Sequence, residues 1–199
     1  MARAGRWEPE GAMWLEADCN LISGESMVRQ LLYGKAFFRR EFGRDCKILW
    51  LPDVFGYSAA LPQILKKSSV DYFTTTKISW NDIDTFPYDT FLWQGIDGTK
   101  ILTYFITTTD YAKDGHPSRS TTYNGMITPR QVMGCWQRYQ QKDLGHEVLN
   151  CFGYGDGGGG PTKEMLENAA RLSRGIPGCP TVRLGNSLDF FRRLERRVK

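Results

Sequence analysis

The sequence has 199 residues, of which 41% are hydrophobic and 13% aromatic, and its formal net charge is +4. This length predicts one domain or a part of a larger one, and the aromatic content excludes an intrinsically disordered chain. The apolar runs are only a few residues long, far below the roughly 20 residues that a membrane-spanning helix needs, so we expect no membrane partner.

Most of the positive charge lies in residues 187–199, where five basic side chains outnumber two acidic ones. A nucleic-acid surface would instead spread basic residues along a face with aromatic or motif support, so we expect no nucleic-acid partner. The five cysteines are scattered and form no C-x-x-C pair. This pattern favours free thiols in a reducing compartment, here the cytoplasm, over a disulfide framework.

Strand and helix patterns alternate along most of the chain. In chain order, the sequence predicts a strand at 12–16, a helix at 23–42, a strand at 47–51, a helix at 62–67, a strand at 71–76, a hairpin at 90–95 and 99–106, a helix at 129–142, a strand at 147–152, a helix at 162–174, a strand at 181–184 and a helix at 187–198. Alternating strands and helices are typical of a parallel sheet or barrel, so the predicted fold class is α/β. The hairpin, with Asp97-Gly98 as a type I′ turn, and the polar residues 107–128 are predicted to form an insertion.

The first helix has the clearest boundary signals. Ser23 is a suitable N-cap residue, and Gly43 follows a last turn that contains two arginines, a pattern common where helices end. Five apolar side chains recur at helical spacing and are expected to face the core. They are Val28, Leu31, Leu32, Phe38 and Phe42.

Polar side chains follow several of the predicted strands. In parallel α/β folds, functional side chains gather in the loops at the carboxyl ends of strands. The loops in question carry Asp18, Asn20, Asp53, Lys77, Trp80 and Asp156. Asp53 directly follows an apolar strand and a proline, so its carboxylate could be a nucleophile, a general base or a metal ligand. The alternative is that Asp53 is only a helix N-cap or a turn residue.

The glycine-rich segment 153–158 satisfies the pattern G-x-G-x-x-G between a predicted strand and a predicted helix. Asp156 would place a negative charge where a pyrophosphate should lie, and Pro161 removes an amide donor at the start of the helix. No acidic residue occurs in 171–183, where a ribose-binding carboxylate is expected. The loop therefore favours a neutral polyhydroxylated ligand beside Asp156, or a flexible connection, over a nucleotide.

The remaining side chains favour carbohydrate chemistry over other classes. The two histidines, His116 and His146, form neither H-x-H nor H-E-x-x-H, and no G-x-S-x-G elbow occurs. Carboxylates beside aromatic residues, without a phosphate-binding loop, suit sugar ligands because aromatic rings can stack on sugar faces. From its residues alone, the sequence indicates a glycosidase-like or sugar-binding α/β domain.

Seven motifs distributed along the chain resemble those of one enzyme family. They are G-R-W-E-P at 5–9, M-W-L-E-A-D-C-N at 13–20, S-G-E-S at 23–26, W-L-P-D-V-F-G-Y-S at 50–58, T-T-K-I-S-W-N at 75–81, P-Y-D-T-F-L-W at 87–93 and G-Y-G-D-G-G-G-G-P-T at 153–162. In this order and number they strongly resemble the α-mannosidases of glycoside hydrolase family 38, especially the bacterial and cytosolic branch.

The resemblance implies a metal-dependent retaining α-mannosidase that removes terminal mannose from mannose-containing oligosaccharides. Residues 1–199 would form part of its N-terminal catalytic domain, a parallel-stranded (β/α) barrel-like fold that carries the hairpin insertion. The family's W-x-x-D-x-F-G aspartate falls on Asp53, which would be both the catalytic nucleophile and a ligand of zinc or cobalt. Asp156 would contact a mannose hydroxyl, Lys77 would lie near the nucleophile, and Trp80 would bind substrate.

The sequence also departs from the family pattern. The family's metal site needs an upstream H-x-D and a downstream histidine, and this sequence contains neither. One carboxylate does not hold zinc in a site usually built from three or four protein ligands. We therefore expect an internal fragment of a larger catalytic domain that is inactive when isolated. The competing interpretation is a carbohydrate-binding or structural remnant without catalysis.

Overall fold

The computed structural model describes residues 1–2 and 4–198. The helices are α1 (Gly24–Phe42), α2 (Leu61–Lys67), α3 (Pro129–Arg138), α4 (Lys163–Leu172) and α5 (Ser187–Glu195), with short 3₁₀ helices at Lys77–Trp80 and Lys142–Leu144. The strands are β1 (Ile48–Trp50), β2 (Tyr72–Thr75), β3 (Thr90–Gln94) and β4 (Lys100–Phe105). The fold is therefore mixed α/β, and Lys199 of the basic C-terminal run lies outside the described residues.

The chain divides into two compact units. The first contains Met1–Ile78 and Thr90–Tyr104, and the second contains Ser79–Asp89 and Phe105–Lys199. No helix of the described residues combines the length and the apolar character that crossing a membrane requires. All five cysteines are free thiols, as the sequence predicts, and three of them are buried.

The first unit is built around a four-stranded sheet with the strand order β1-β2-β4-β3. Strands β1 and β2 are parallel and place Ile48 opposite Tyr72, whereas β3 and β4 are antiparallel. Every residue of β2 is buried, as are Ile48 and Leu49 of β1. The predicted strands at 47–51 and 71–76 are thus confirmed, each slightly shorter than the sequence indicates.

The hairpin of β3 and β4 is confirmed, but two details of its prediction are wrong. Its strands belong to the main sheet, where β4 lies next to β2, so the hairpin is not an insertion. Its turn is also not of type I′. A type I′ turn needs positive φ at both central residues, and of Asp97 and Gly98 only Gly98 has one, at +83°. The Gly98 amide donates to the Gly95 carbonyl at 3.0 Å, and the Gly95 amide donates to the Thr99 carbonyl at 2.8 Å. The connection is therefore a longer loop that uses glycine only at its last position.

Helix α1 begins and ends as predicted. The Ser23 hydroxyl accepts a hydrogen bond from the Ser26 amide at 3.2 Å, and Gly43 ends the helix in the left-handed conformation with φ +64°. The predicted apolar stripe is partly wrong, because Val28 and Leu32 are exposed. The buried positions are Met27, Leu31, Gly34 and Lys35.

Gly34 explains why the buried face of α1 is rotated from the predicted one. A Cβ atom at Gly34 would lie 2.3 Å from the Ala12 carbonyl oxygen, so the helix backbone packs directly on residues 12–14 there. The buried set 27, 31, 34 and 35 follows helical spacing around this contact. A glycine in a helix is ordinarily unfavourable, so the position of Gly34 was a signal of close approach.

Three predicted strands do not form ladders in the described part of the chain. Next to the segment at 12–16, the preceding residue Gly11 makes a single bridge to Leu49. The backbone then turns at Ala12, with φ +67°, and the strand does not continue. The segment at 147–152 makes one bridge, between Phe152 and Gly125, and the segment at 181–184 makes none. Side chains form hydrogen bonds with some of these backbone groups instead. For example, the Cys151 amide donates to the Thr108 hydroxyl at 3.2 Å.

The second unit packs helices and irregular segments around an apolar cluster formed by Ile127, Val132, Met165, Ala169 and Leu172. Thr128 and Thr162 cap α3 and α4, so both predicted starts hold to within a residue. Helices α3, α4 and α5 all end earlier than predicted. For α3 the reason is visible, since the Gln140 amide leaves the helical pattern and donates to the Asp89 carboxylate at 2.9 Å.

Candidate active site

Asp53 and Lys77 form an ion pair at one edge of the first unit's sheet. Because β1 and β2 are parallel neighbours, the segments that follow them leave the sheet at the same edge. Asp53 follows β1 and Lys77 follows β2, and the Lys77 Nζ lies 2.6 Å from the Asp53 Oδ1. Strand pairing therefore brings together two charged side chains that are far apart in sequence.

Hydrogen bonds hold the loop that carries Asp53 against the end of β2. The Thr76 hydroxyl donates to the Pro52 carbonyl at 2.6 Å, and the Thr76 amide donates to the same oxygen at 3.3 Å. The Tyr57 hydroxyl lies 2.9 Å from the carbonyl oxygens of both Leu51 and Val54, and it also contacts the Thr75 hydroxyl. Burial raises the pKa of Tyr57, so its hydroxyl is a neutral structural group.

The backbone of Asp53 is held by a second carboxylate. The Asp53 amide donates to the Glu16 Oε1 at 2.9 Å. Nearby, Gly56 packs closely on the Asn20 side chain, since a Cβ atom at Gly56 would lie 2.3 Å from the Asn20 Nδ2. Helix α2 begins only at Leu61 and has no side-chain cap, so Asp53 does not cap it. The helix N-cap interpretation of Asp53 is therefore wrong.

The surroundings of the pair leave the carboxylate within reach of a solute. The Lys77 side chain is 10% exposed, whereas that of Asp53 is 30% exposed. The Lys77 ammonium also lies 5.0 Å from the centre of the Phe55 ring, a favourable cation–π distance. A charge-assisted hydrogen bond as short as the 2.6 Å contact between Lys77 and Asp53 restrains the carboxylate in one orientation. The arrangement presents a fixed, partly accessible carboxylate beside an exposed aromatic ring.

Asp156 lies in the glycine-rich loop of the second unit. Its carboxylate accepts hydrogen bonds from the Tyr123 hydroxyl at 3.0 Å and from the Asn124 Nδ2 at 3.3 Å. The side chain is exposed, and the residue adopts the left-handed conformation with φ +51°. Two donors thus fix a carboxylate that faces solvent.

Trp80 also lies in the second unit, with a ring that is half-exposed. Its indole N–H donates to the Thr121 carbonyl at 2.8 Å, and the neighbouring Ser79 and Thr121 hydroxyls are 2.9 Å apart. Because the polar edge of the indole is bonded to the backbone, the ring is held in place. An exposed and immobilised ring face is suited to stacking on a sugar.

Sequence reasoning missed four residues that support these carboxylates: Glu16, Tyr57, Tyr123 and Asn124. Glu16 and Tyr57 lie inside the motifs at 13–20 and 50–58, so the motifs contained a signal for them. Tyr123 and Asn124 lie more than 30 positions from Asp156, in an irregular segment. No sequence pattern indicated that contact.

The described residues do not by themselves fit a zinc or cobalt site. Across 1–2 and 4–198, no group of three or more His, Cys, Asp or Glu side chains is arranged to hold a metal ion. The Lys77 ammonium contacts the Asp53 carboxylate, and its positive charge repels a metal cation there. Both histidines, His116 and His146, are exposed.

Comparison with known proteins gives one consistent relationship. The family model of the glycosyl hydrolases family 38 N-terminal domain matches residues 1–199. Alpha-mannosidase G of Dictyostelium discoideum is 39% identical over 191 residues, which is 96% of this chain and 16% of that protein. Alpha-mannosidase 2C1 of Homo sapiens is 41% identical over 191 residues, which is 96% of this chain and 17% of that protein. The chain spans about a sixth of the length of these curated relatives.

A solved structure shares the fold. The crystal structure of an alpha-mannosidase from Enterococcus faecalis V583 matches with a TM-score of 0.70 at 17% identity, covering 100% of this chain and 21% of that one. At that identity the match shows the fold alone. The family model covers the full sequence, and relatives near 40% identity cover almost all of it. The chain therefore belongs to glycosyl hydrolase family 38, as part of the family's N-terminal domain.

Proposed function

We propose that this chain carries the nucleophile of a retaining α-mannosidase, which removes terminal α-linked mannose from mannose-containing oligosaccharides, and that the nucleophile is Asp53. The observation that supports this most is the fixed, partly exposed Asp53 carboxylate at the edge of the sheet, 2.6 Å from Lys77. The relatives at 39% and 41% identity are named alpha-mannosidases, which supports the choice of sugar. We place the chain in the bacterial and cytosolic branch and in the cytoplasm.

In a retaining mechanism, the Asp53 carboxylate attacks the anomeric carbon of the mannose and forms an ester bond as the glycosidic bond breaks. A second carboxyl group, typically about 5 Å from the nucleophile, protonates the departing oxygen and then activates the water that hydrolyses the ester. Lys77 keeps the attacking carboxylate in one orientation. Asp156 accepts a hydrogen bond from a mannose hydroxyl, and Trp80 provides a stacking surface for sugar.

We propose that the mixed sheet is part of a (β/α) barrel-like catalytic domain. A divalent metal, zinc or cobalt, would require further ligands besides Asp53, since the described residues contain no cluster of three potential ligands. We expect the isolated chain, with zinc or cobalt added, to leave an aryl α-mannoside unhydrolysed, and turnover would contradict this expectation.

A second function has one observation in its favour. The lack of a three-ligand cluster in the described part of the chain also fits a protein that binds carbohydrate without hydrolysing it. Glycan binding that survives both Asp53→Asn and a chelator would favour this alternative.

A chimera tests the proposed activity directly. The 191 matched residues of human Alpha-mannosidase 2C1 are replaced by this chain, and hydrolysis of an aryl α-mannoside is measured. The chimera should be active, and Asp53→Asn should lower kcat by at least about 10³-fold because the covalent step loses its nucleophile. Asp18→Asn, in another loop of the same unit, is the matched control and should retain most activity. An active chimera that tolerates Asp53→Asn would contradict the proposal.

A further inference from the structure

Tyr123 and Asn124 hold the carboxylate of Asp156 from two sides. The Tyr123 hydroxyl donates to Oδ1 at 3.0 Å, and the Asn124 Nδ2 donates to Oδ2 at 3.3 Å. Each carboxylate oxygen therefore accepts a hydrogen bond from one of these two side chains. Because a carboxylate oxygen accepts more than one hydrogen bond, both oxygens retain capacity for a further donor.

The side-chain amide of Asn124 is oriented so that its nitrogen donates to Asp156, which leaves its carbonyl oxygen unsatisfied. The Asn124 Oδ1 is buried and has no hydrogen-bond partner among the residues that the structure describes. An unsatisfied buried acceptor is unfavourable. Rotating the amide by 180° would place the carbonyl oxygen against the Asp156 Oδ2, which is worse because two acceptors would then face each other. The donor end of the amide is thus committed to the carboxylate.

The backbone of the loop is fitted to the same two side chains. A Cβ atom at Gly155 would lie 2.2 Å from the Asn124 Oδ1 and 2.7 Å from the Tyr123 ring. Only glycine lets the chain pass this close. The next residue, Asp156, has φ +51°, a conformation that non-glycine residues adopt at a cost. The loop therefore combines a strained backbone at Asp156, an unsatisfied buried acceptor at Asn124 and an exposed carboxylate at Asp156.

We propose that Tyr123 and Asn124 are positioning residues that aim the Asp156 carboxylate at a pair of neighbouring hydroxyls on a mannose ring. The chemistry fits a vicinal diol, since two fixed acceptor oxygens can each take a hydrogen bond from one of two adjacent hydroxyls. This inference rests on the proposed function, because it assumes that Asp156 contacts mannose. It adds two residues that the family motifs of the sequence do not contain.

The experiment measures binding of methyl α-mannoside to the 199-residue chain by NMR titration, with stability measured for every variant. Asp156→Asn should weaken binding at least about tenfold, and Tyr123→Phe and Asn124→Ala should each weaken it roughly threefold to tenfold. The control is Tyr154→Phe, which removes the hydroxyl of an exposed tyrosine in the same loop and should change binding less than twofold. Tyr123→Phe keeps the ring, so it tests the hydroxyl in a folded protein.

A spectroscopic readout separates positioning from general stability. The side-chain amide signals of Asn124 should shift when Asp156 is changed to Asn, and they should not shift in Tyr154→Phe. If Asp156→Asn weakens binding but Tyr123→Phe and Asn124→Ala do not, the positioning role is wrong while the proposed function stands. If Asp156→Asn has no effect, or the unmodified chain does not bind the mannoside, the role of Asp156 in the proposed function fails and this inference fails with it.

Discussion

Removing either member of the Asp53–Lys77 pair should destabilise the protein, and removing both should cost less than the sum of the two single changes. Exposed ion pairs contribute about 0.2–1 kcal/mol, whereas breaking a buried pair costs about 3–5 kcal/mol. With side chains 10% and 30% exposed and a 2.6 Å separation, this pair lies between those cases. We expect a coupling free energy of about 1–2 kcal/mol.

The assay is a double-mutant cycle by urea denaturation on the unmodified chain, Asp53→Asn, Lys77→Met and the double variant. The matched control is the Arg29–Glu25 pair on α1, which is similarly short at 2.8 Å but has side chains 57% and 69% exposed. Its coupling should be about 0.3–0.5 kcal/mol. A coupling for Asp53–Lys77 no larger than that of the control would refute the view that this carboxylate is held in place by its partner.

Three further predictions concern packing, pH and thiol chemistry. Gly34→Ala should destabilise by about 1–3 kcal/mol in urea denaturation, since its Cβ would meet backbone at 2.3 Å, whereas Gly24→Ala, with open space around it, should not. Burial opposes ionisation of Asp45, but hydrogen bonds from Lys35, Arg39 and Lys47 outweigh it and lower its pKa to about 2. The ionised Asp45 thus stabilises the fold above about pH 4, and this contribution should be lost as the pH falls through about 2. A stability profile of Asp45→Asn parallel to that of the unmodified chain would contradict this prediction. Burial raises the pKa of the Cys46 thiol to about 12, so little of it is ionised at pH 8. A thiol reagent at pH 8 should therefore modify the more exposed Cys179 before Cys46, as measured by mass spectrometry. Faster modification of Cys46 would contradict this prediction.

The elements that could be predicted from the sequence are those with local signals. Helix α1 has its cap at Ser23 and its stop at Gly43, and the apolar run at 47–51 forms a strand because a parallel neighbour is present. The segments at 147–152 and 181–184 have equally strand-like sequences but make no ladder, because a strand also needs a partner that sequence pattern does not supply.

The residues of the candidate site also fall into those that the sequence predicts and those that it does not. Asp53 stands out because it follows an apolar strand and a proline, and its contact with Lys77 follows from parallel pairing of consecutive strands. The contact of Glu16 with the Asp53 amide spans 37 positions and depends on how a non-repetitive segment turns. Such contacts arise from tertiary packing, so no local pattern predicts them.

Covalent trapping tests the central claim most directly. The chimera with human Alpha-mannosidase 2C1 is incubated with an activated fluoromannoside that forms the mannosyl ester faster than water removes it, and the labelled peptide is sequenced by mass spectrometry. The label should lie on Asp53, and the Asp53→Asn chimera should remain unlabelled. A label on any other residue would show that Asp53 is not the nucleophile.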